Sequence, residues 1–439
     1  MRILLITHYY APEFGAPQRR WSALIQRFVD AGHQVTVAAP VPHYPGGRPT
    51  PQQRRTHRVG AVERGDHGET VLRTAYLPHR SDIGTRTADH AVAAADSLRR
   101  LLCRFARPST RPDVVIATAP AVPSLLVGRM LALRWRVPLV AEMRDAWPDL
   151  VTHVGPAGAV PVKLAPHTRP DPLRRAVGLA IGRAKGAVHH AVTSWQQGAQ
   201  VVVTTTGRFA EVLRERGIDD PRVVRNGTDL AGVRAQLDHP RGHHRELRCL
   251  YLGNMGRSQG LETVVRAAAR LRARGVPVQV RMIGHGVEAP ALAALAHELG
   301  APVQVLSRIP HTEVQEQYAW ADTMVVSLRN WEPFAWTVPS KLYELLATRR
   351  HITALLHGEA AEVVREAGAG DVLAPQDEDA LVTLWSRLAA DRSLAAGRDS
   401  GRDWVAAHAD DDVLAARYLR ILEQVVAAGR GASGAPARP

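Results

Sequence analysis

The sequence predicts an α/β protein with two domains, each built on a doubly wound parallel sheet. Strand-like and helix-like segments alternate along the chain, and this alternation is typical of βαβ units. A polar run at residues 238–246 interrupts the alternation, which then restarts from a new strand. The 439 residues are also more than one hydrophobic core normally serves.

The first half begins with a buried strand at residues 3–6, a loop at 12–17 and a helix at 21–31 that ends at a glycine. A polar, Pro- and Arg-rich stretch at 41–58 is interpreted as a surface loop. Residues 155–172 lack periodicity and hold five prolines, which predicts a mobile loop. The remaining predicted elements are strands at 35–39, 114–118 and 138–143 and helices at 87–105 and 125–133.

The second half begins with a strand at 247–252, a glycine-rich loop at 253–260 and a helix at 261–274. Further strands are predicted at 278–283, 303–305, 323–327 and 353–355, and further helices at 289–299, 312–320, 340–347 and 413–426. In doubly wound sheets ligands bind beyond the carboxyl ends of the strands. We therefore expect the functional cleft at these ends of the two sheets, between the domains.

Composition excludes several classes of protein. Two cysteines allow neither a disulfide framework nor a cysteine-based zinc cluster, which favours a reducing, cytoplasmic location. The sequence shows no signal peptide and no transmembrane helix. Adjacent histidines at 189–190 and 243–244 cannot share a helix face, and no cysteine or carboxylate spacing completes a site, so we expect no metal ligands.

The formal charge of +14 comes entirely from residues 1–245. Such a basic half is compatible with nucleic-acid binding, with an arginine-biased composition, or with attraction to an anionic membrane surface or acceptor. No RNA-binding aromatic motif, zinc finger or helix-turn-helix is evident. We therefore expect no nucleic-acid partner, whereas peripheral contact with the inner face of a membrane stays open.

Two segments of the second half carry candidate chemistry. The loop GNMGRSQG (Gly253–Gly260) follows a strand and opens a helix, where backbone amides and the helix terminus can approach a diphosphate. In VPSKLYELLA (residues 338–347), Lys341 and Glu344 lie three apart near a helix start. Lys341 suits an anion, and Glu344 suits a ribose diol; the alternative is a surface ion pair worth about 0.2–0.5 kcal/mol.

Several motifs give the chain a resemblance to the retaining family 4 glycosyltransferases of the GT-B fold, and in particular to the branch with O-antigen and colanic-acid-type transferases. The resemblance covers nearly the whole chain. It is carried by YYAPEFGAPQRRW (9–21), AGHQVTV (31–37), PHYPGG (42–47), VPLVAEMRDAWPD (137–149), RNGTD (225–229), YLGNMGRSQGLET (251–263), VPSKLYELLA and GEAAEVVREAGAG (358–370).

The resemblance implies two Rossmann-like domains facing an interdomain cleft. The acceptor-binding domain would span 1–240, with a helix at about 405–428 packing back on it. The donor-binding domain would span 247–404, and 429–439 would be a disordered tail.

The resemblance also implies roles for individual residues. The diphosphate would be held by Arg257 and Lys341, and the catalytic group would comprise Arg257, Lys341 and Asp145. Donor-binding residues would be Gly15, Gly253, Asn254, Arg257, Ile309, Phe334, Ala335, Trp336, Thr337, Ser340, Lys341 and Glu344. Acceptor-binding residues would be Arg20, His43, Tyr44 and Arg144.

The chain departs from the family pattern in three places. Asn254 and Gln259 stand where many members have a basic residue, and Arg257 would compensate. Trp336 replaces the first member of a paired-glutamate motif, so backbone amides of residues 334–337 would hold the donor sugar. A histidine common after the third-strand region is missing from residues 118–124.

The implied activity is metal-independent, retaining transfer of a sugar from a UDP- or GDP-sugar to a glycan, a polyprenyl-linked or a small-molecule acceptor. No cofactor is expected beyond the nucleotide-sugar co-substrate. Two alternatives stay open: a GT-B-like nucleotide-sugar 2-epimerase, and a non-catalytic binding protein with a degenerate transferase fold.

Overall fold

Two compact units make up the chain in a computed structural model. The structure describes residues 1–44, 46–80, 82–144, 186, 189–234, 244–396 and 399–433, apart from the side chains of 83, 234, 311 and 431–433. One unit comprises Met1–Val224 and Ala415–Pro439, and the other comprises Arg225–Leu414. In this division the segment 226–229 belongs to the second unit, and the expected end of the first domain at residue 240 lies outside the described residues.

The first unit contains an eight-stranded sheet in the order β3-β4-β2-β1-β5-β6-β7-β8. Every described pairing is parallel except that of β3 with β4. The strands are β1 (Arg2–Ile6), β2 (Gln34–Pro40), β3 (Val62–Arg64), β4 (Thr70–Thr74), β5 (Val114–Thr118), β6 (Leu139–Met143), β7 (Val201–Thr204) and β8 (Arg222–Val223). The helices with both ends described are α1 (Ala16–Asp30), α2 (Pro51–Thr56), α3 (Ile83–Arg104), α4 (Pro123–Trp135) and α5 (Gly207–Glu215), and residues 189–197 are helical as well.

The second unit contains a six-stranded sheet in the order β11-β10-β9-β12-β13-β14, with all pairings parallel. Its strands are β9 (Leu247–Asn254), β10 (Val278–His285), β11 (Val303–Leu306), β12 (Thr323–Ser327), β13 (His351–Leu355) and β14 (Gly370–Leu373). Its helices are α6 (Leu230–Arg234), α7 (Glu262–Ala273), α8 (Ala289–Glu298), α9 (His311–Trp320), α10 (Ser340–Ala347), α11 (Gly358–Glu366), α12 (Glu378–Ala390) and α13 (Ser400–His408). The predicted class of two parallel-sheet α/β domains is confirmed.

A last helix, α14 (Asp411–Ser433), carries the chain from the second unit into the first. Its Tyr418 is fully buried, and the tyrosine ring lies 5.9 Å from Trp21 and 5.8 Å from Phe28, centroid to centroid. Both partners lie on α1, seven residues apart and hence on one face. Residues 429–433 are therefore helical, although disorder was expected from 429 onward; 434–439 lie outside the described residues.

Local sequence explains why the sheets form. Residues 3–6 of β1 and 114–117 of β5 are continuous apolar runs, which is typical of parallel strands covered by helices on both faces. In the second unit Trp385 of α12 is fully buried, and its indole N–H donates to Thr353 Oγ1 on β13 at 3.2 Å. This hydrogen bond satisfies the polar atom of a large core side chain, as buried tryptophan requires.

Some elements differ from the predicted ones. The stretch 41–58 contains α2, and strands β3 and β4 follow it, because a Pro at the first turn and a Thr50–Gln53 capping box start a helix in a polar segment. The glycine-rich segment is also shorter than expected, since Gly253 and Asn254 end β9. A 3-10 turn at Arg257–Gln259 precedes α7.

Two predicted loops fall wholly or partly outside the residues that the structure describes. Residues 155–172 lie outside the described residues, and so do 238–243 of the expected linker. None of the helices described in the structure is long and apolar enough to span a membrane.

Candidate functional site

The carboxyl end of β9 presents backbone and few side chains. Gly253 pairs with Gly284 of β10, and Asn254 pairs with His285. A Cβ atom on Gly284 would lie 1.8 Å from the Gly253 carbonyl oxygen, and one on Gly286 would lie 2.2 Å from that of Met255. Only glycine allows such an approach, so the sequence itself makes this edge a surface of backbone groups.

The turn after β9 is held in place by hydrogen bonds at its base. Gly256 N–H donates to Gln259 Oε1 at 3.0 Å, and Ser327 Oγ at the end of β12 donates to the Gln259 carbonyl at 2.6 Å. The amide of Arg329 donates to the Ser258 carbonyl at 2.8 Å. Gln259, a departure from the family pattern, therefore shapes the loop.

Arg257 projects from this turn. Its side chain is 59% exposed, and its Nε lies 3.5 Å from Glu288 Oε1 just before α8. Its carbonyl accepts a hydrogen bond from Arg329 Nε, which fixes the backbone from which the guanidinium extends. An exposed cation on a fixed backbone can reorient toward an anion at little cost, because exposed ion pairs are worth only about 0–1 kcal/mol.

Lys341 and Glu344 contact each other on the first turns of α10. Lys341 Nζ lies 2.9 Å from Glu344 Oε2, and the other oxygen, Oε1, accepts a hydrogen bond from Tyr318 at 2.6 Å. The ammonium also lies 5.5 Å from the centroid of the Tyr318 ring. Burial, reinforced by the neighbouring Glu344, raises the pKa of Tyr318 well above its usual value. The tyrosine therefore stays a hydrogen-bond donor that fixes the carboxylate.

The segment 334–337 is anchored to the start of α11. Ala335 carbonyl accepts a hydrogen bond from Glu359 N–H at 2.8 Å. Gly358, with φ +64°, comes so close that a Cβ atom there would lie 1.9 Å from the same oxygen. The segment is thus held by a backbone contact that only glycine permits.

Three backbone amides of this segment donate to nearby carbonyls. Those of Phe334, Ala335 and Thr337 donate to the carbonyls of Trp331, Glu332 and Phe334 at 2.9, 2.9 and 3.4 Å. A 3-10 turn at Glu332–Phe334 explains these contacts, because such turns use amide donors locally. The expected contacts between amides of this segment and sugar hydroxyls stay a prediction.

The other donor-side residues lie at element boundaries. Ser340 is the first residue of α10, directly after Pro339, and Ile309 lies half-buried between β11 and α9. In the first unit, Gly15 is the N-cap of α1, which no side chain caps. The amino terminus of α1 therefore offers amides without a local side-chain acceptor.

Arg20 is buried in the first unit and forms an ion pair there. Its Nε lies 3.2 Å from Glu142 Oε1, and its Nη2 donates to the Val224 carbonyl at 3.0 Å. Arg20 is 6% exposed and Glu142 is fully buried. Helix α1 turns Arg20 toward the sheet, where it forms a buried ion pair, and the acceptor role expected for Arg20 stays a prediction.

Arg144 follows β6 and is 7% exposed. Its Nε lies 3.9 Å from Glu142 Oε1, and its carbonyl accepts a hydrogen bond from Thr205 at 3.0 Å. The expected catalytic residue Asp145 lies outside the described residues.

His43 and Tyr44 are positioned by a glutamate that sequence reasoning did not select. Glu13 Oε1 accepts hydrogen bonds from the backbone amides of His43 at 2.7 Å and Tyr44 at 2.8 Å. Gln18 donates to Oε2 of the same glutamate at 3.0 Å. Glu13 belongs to the motif at 9–21, and its burial among polar groups was not visible from spacing.

A buried cluster of imidazoles adjoins these residues. His43 Nε2 and His8 Nε2 lie 2.9 and 3.0 Å from Asp89 Oδ2. Burial would lower the pKa of His43, but the contact with Asp89 outweighs it and raises the pKa. Burial lowers the pKa of His8, and it lowers that of His90 to about 3. His8, His43 and Asp89 could together hold a metal ion.

Comparisons with known proteins show which family the second unit resembles. Residues 246–391 match the family described as glycosyl transferases group 1. The chain is 24% identical over 404 residues to WcaI of Escherichia coli (strain K12), a protein named for colanic acid biosynthesis as a glycosyl transferase. That match covers 87% of this chain and 90% of WcaI.

Solved structures share the fold across the whole chain. Sucrose-phosphate synthase from Thermosynechococcus elongatus superposes with a TM-score of 0.67 at 18% identity, covering 97% of this chain and 99% of the other. Anabaena HepE, in complex with UDP and glucose, superposes with a TM-score of 0.62 at 16% identity, covering 96% and 99%. The chain therefore has the GT-B fold of these glycosyltransferases and is similar to WcaI, and its residues 246–391 match the glycosyl transferases group 1 family.

Proposed function

We propose that the protein is a retaining glycosyltransferase that moves a sugar from a nucleotide diphosphate sugar to a glycan, lipid-linked or small-molecule acceptor. The observation that carries the proposal is the ordered group of Lys341, Glu344 and Tyr318 on α9 and α10. It lies within the segment that matches the glycosyltransferase family. HepE, which shares the fold, was solved with UDP and glucose, and this supports a UDP-sugar donor over a GDP-sugar.

Leaving-group stabilisation is the task assigned to the two cations. When the bond between the anomeric carbon and the phosphate oxygen breaks, negative charge develops on the diphosphate. Fixed cations aimed at that charge lower the barrier, and removing one such contact typically costs about 10²–10³ in rate. Arg257 and Lys341 would supply this stabilisation, so the proposed transfer uses no metal ion.

Both cations are paired in the structure, and the pairs are weak enough to exchange. Lys341 is 32% exposed and its pair with Glu344 spans three residues of one helix, a geometry worth about 0.2–0.5 kcal/mol. A diphosphate carries more charge than a carboxylate. It would therefore attract the Lys341 ammonium, while Glu344, still held by Tyr318, would accept hydrogen bonds from the ribose diol.

Retention is proposed through front-face attack. The acceptor hydroxyl oxygen bonds to the anomeric carbon on the face from which the diphosphate leaves, and its proton passes to the departing phosphate oxygen. No strong enzymic base is required. A catalytic role for Asp145 is proposed as well, on the resemblance of the segment 137–149 to the family motif.

The acceptor is assigned to the first unit. Tyr44, held by Glu13, and Arg144 are the proposed contacts, whereas the buried His43 supports the segment that carries Tyr44. WcaI is named for the biosynthesis of a polysaccharide, which favours a glycan or polyprenyl-linked acceptor over a small molecule. A lipid-linked acceptor also fits the proposed cytoplasmic location with contact at the inner face of a membrane.

A donor screen followed by product analysis tests the proposal. Thermal shift with UDP-, GDP- and dTDP-sugars identifies the donor, and mass spectrometry and NMR of the product give the transferred mass and the anomeric configuration. An α-linked donor should yield an α-linked product. A β-linked product would exclude retention. A changed sugar without any acceptor would indicate an epimerase, and binding without turnover would indicate a non-catalytic protein.

A further inference from the structure

Four imidazoles surround one buried carboxylate at the carboxyl end of the first sheet. His8 follows β1, His43 follows β2, His79 follows β4, and Asp89 with His90 lies on α3. Ring centroids lie 5.4 Å apart for His8 and His43, 5.5 Å for His43 and His79, and 4.4 Å for His8 and His90. Asp89 is fully buried, and His8 and His43 are 4% and 2% exposed.

Backbone carbonyls fix the tautomers of two of these histidines. His43 Nδ1 lies 2.7 Å from the Val41 carbonyl oxygen, and His79 Nδ1 lies 2.7 Å from that of Arg80. A carbonyl oxygen can only accept, so both Nδ1 atoms must carry a proton. In a neutral ring with a proton on Nδ1, Nε2 carries no proton and presents a lone pair. In both histidines this lone pair faces Asp89. This Nδ1–H to carbonyl arrangement is how proteins orient histidines that bind metal ions.

The nitrogens converge on a single oxygen. Asp89 Oδ1 accepts a hydrogen bond from the Leu77 amide at 2.7 Å, which leaves Oδ2 for the cluster. Oδ2 lies 2.9 Å from His43 Nε2, 3.0 Å from His8 Nε2 and 3.8 Å from His79 Nε2. Ligand atoms of a tetrahedral zinc ion lie about 3.3 Å apart, given metal–ligand bonds of about 2.0–2.2 Å. The three spacings bracket that value.

His8 shows that hydrogen bonding alone does not complete the cluster. Its Nε2 is buried and, despite the contact with Asp89 Oδ2, makes no hydrogen bond of acceptable geometry with any residue that the structure describes. An unsatisfied buried polar atom costs about 1–3 kcal/mol. A proton on His43 Nε2 would complete a hydrogen bond to Asp89, but His8 Nε2 would still lack one. A cation bound jointly by His8, His43 and Asp89, whose ligand atoms lie within 4.8 Å of one another, would give His8 Nε2 a partner as well.

We propose that His8, His43 and Asp89, whose ligand atoms all lie within 4.8 Å of one another, bind one Zn²⁺ ion in a tetrahedral site within the first unit. His79, whose Nε2 lies 3.8 Å from Asp89 Oδ2, would move closer to become the fourth ligand. Imidazole nitrogen with one carboxylate oxygen suits zinc and disfavours Mg²⁺ and Ca²⁺, which require mainly oxygen. Four protein ligands leave no open position, so the ion is structural and takes no part in sugar transfer. It would tie the segment that carries Tyr44 to β1 and α3.

The ligands are spread along the chain, which is why spacing did not reveal them. Positions 8, 43, 79 and 89 form none of the short motifs by which zinc sites are found in sequences. The site stands independently of the proposed transferase activity, since none of its evidence comes from the second unit.

Zinc content and the coordination shell of the purified full chain test the proposal. After removal of metal with a chelator, calorimetric titration with Zn²⁺ alone should show one tight site per chain. Zinc X-ray absorption should show a shell of about four nitrogen and oxygen atoms at about 2.0 Å, and Co²⁺ substitution should give the visible bands of a tetrahedral ion. A sulfur-containing or six-coordinate shell would overturn the assignment.

Matched variants locate the ion. His8→Ala and His43→Ala should each weaken Zn²⁺ binding at least about tenfold. His57→Ala is the control, because His57 also pairs with a carboxylate, Glu63 Oε2 at 2.9 Å, outside the cluster. Equal zinc affinity in all three variants, or no tight site in the wild type, would contradict the proposal. If a variant of His8 or His43 does not fold, the coordination shell of zinc in the wild-type protein still tests whether the site exists.

Discussion

Lys341 Nζ lies 2.9 Å from Glu344 Oε2, one turn further along α10. Because Tyr318 holds the other carboxylate oxygen at 2.6 Å, the ammonium is the mobile member of the group. The structure thus contains the surface ion pair that was the simpler interpretation of this sequence. The transferase interpretation requires in addition that a diphosphate draws Lys341 away from Glu344.

Replacing Lys341 should separate these interpretations. Lys341→Ala is expected to lower kcat/KM by about 10²–10³, as loss of a transition-state contact does, while the melting temperature changes little because the pair is weak. Arg270→Ala, which breaks an exposed pair with Glu378 in the same unit, is the matched control. Unchanged turnover in the Lys341 variant would exclude a contact between Lys341 and the diphosphate and would support the surface ion pair.

Arg257→Ala should also lower kcat/KM without unfolding the protein, because the side chain is 59% exposed. The reduction should appear in kcat with little change in KM if the contact strengthens as the diphosphate departs. The exposed Arg266 on α7 provides the control variant. Equal kinetics of the two variants would remove Arg257 from the diphosphate contacts.

Glu344→Ala should weaken donor binding at least about tenfold, since a hydrogen bond to a charged group is worth about 1.5–3 kcal/mol. The same change leaves the Tyr318 hydroxyl without its acceptor, so a fall in stability is expected as well. Tyr318→Phe with Glu344→Ala removes that second effect. Calorimetry that finds wild-type nucleotide affinity in the double variant would refute the ribose assignment.

Gly358→Ala should displace the segment 334–337. The new Cβ would lie 1.9 Å from the Ala335 carbonyl at a positive φ of 64°, so both strain and a backbone clash arise. Gly275→Ala is the matched control, because its φ is +71° and nothing lies within 4 Å. We expect the control to lose about 1–2 kcal/mol for the left-handed backbone and Gly358→Ala to lose clearly more, with a raised KM for the donor. Equal melting temperatures would show that the contact does not hold the segment.

Arg20→Ala should act on stability. Breaking a buried ion pair by removing one partner costs about 3–5 kcal/mol, here by leaving Glu142 fully buried and without its nearest cation. Arg19→Ala, at an exposed neighbouring position, should change the free energy of unfolding little. An unaltered denaturation midpoint together with a raised KM for the acceptor would instead support the acceptor-binding role expected for Arg20.

Local patterns predicted the parts of the fold that local forces determine. Helix α10 matches the predicted residues 340–347, and β12 matches 323–327, because apolar spacing determines both elements and Pro339 directly precedes the helix. The segment 41–80 was harder, since its strands β3 and β4 are short and polar residues dominate it. Apolar periodicity is weak in such segments.

Side-chain partnerships across the chain could not be predicted from spacing. Lys341 and Glu344 share one helix, so their proximity follows from the helical repeat. Arg20 and Glu142 are 122 residues apart, and His43 and Asp89 are 46 apart. Which charged side chain a helix turns inward depends on the sheet against which it packs, and that information is not local.

The most direct test of the central claim compares nucleotides with and without a diphosphate. Calorimetric titration of the wild type with UDP, GDP and the corresponding nucleosides should show that the diphosphate improves affinity at least about tenfold, and that Lys341→Ala and Arg257→Ala each lose most of this gain. If the nucleoside binds as tightly as its diphosphate, or if both variants keep the full preference, the two cations do not hold the leaving group.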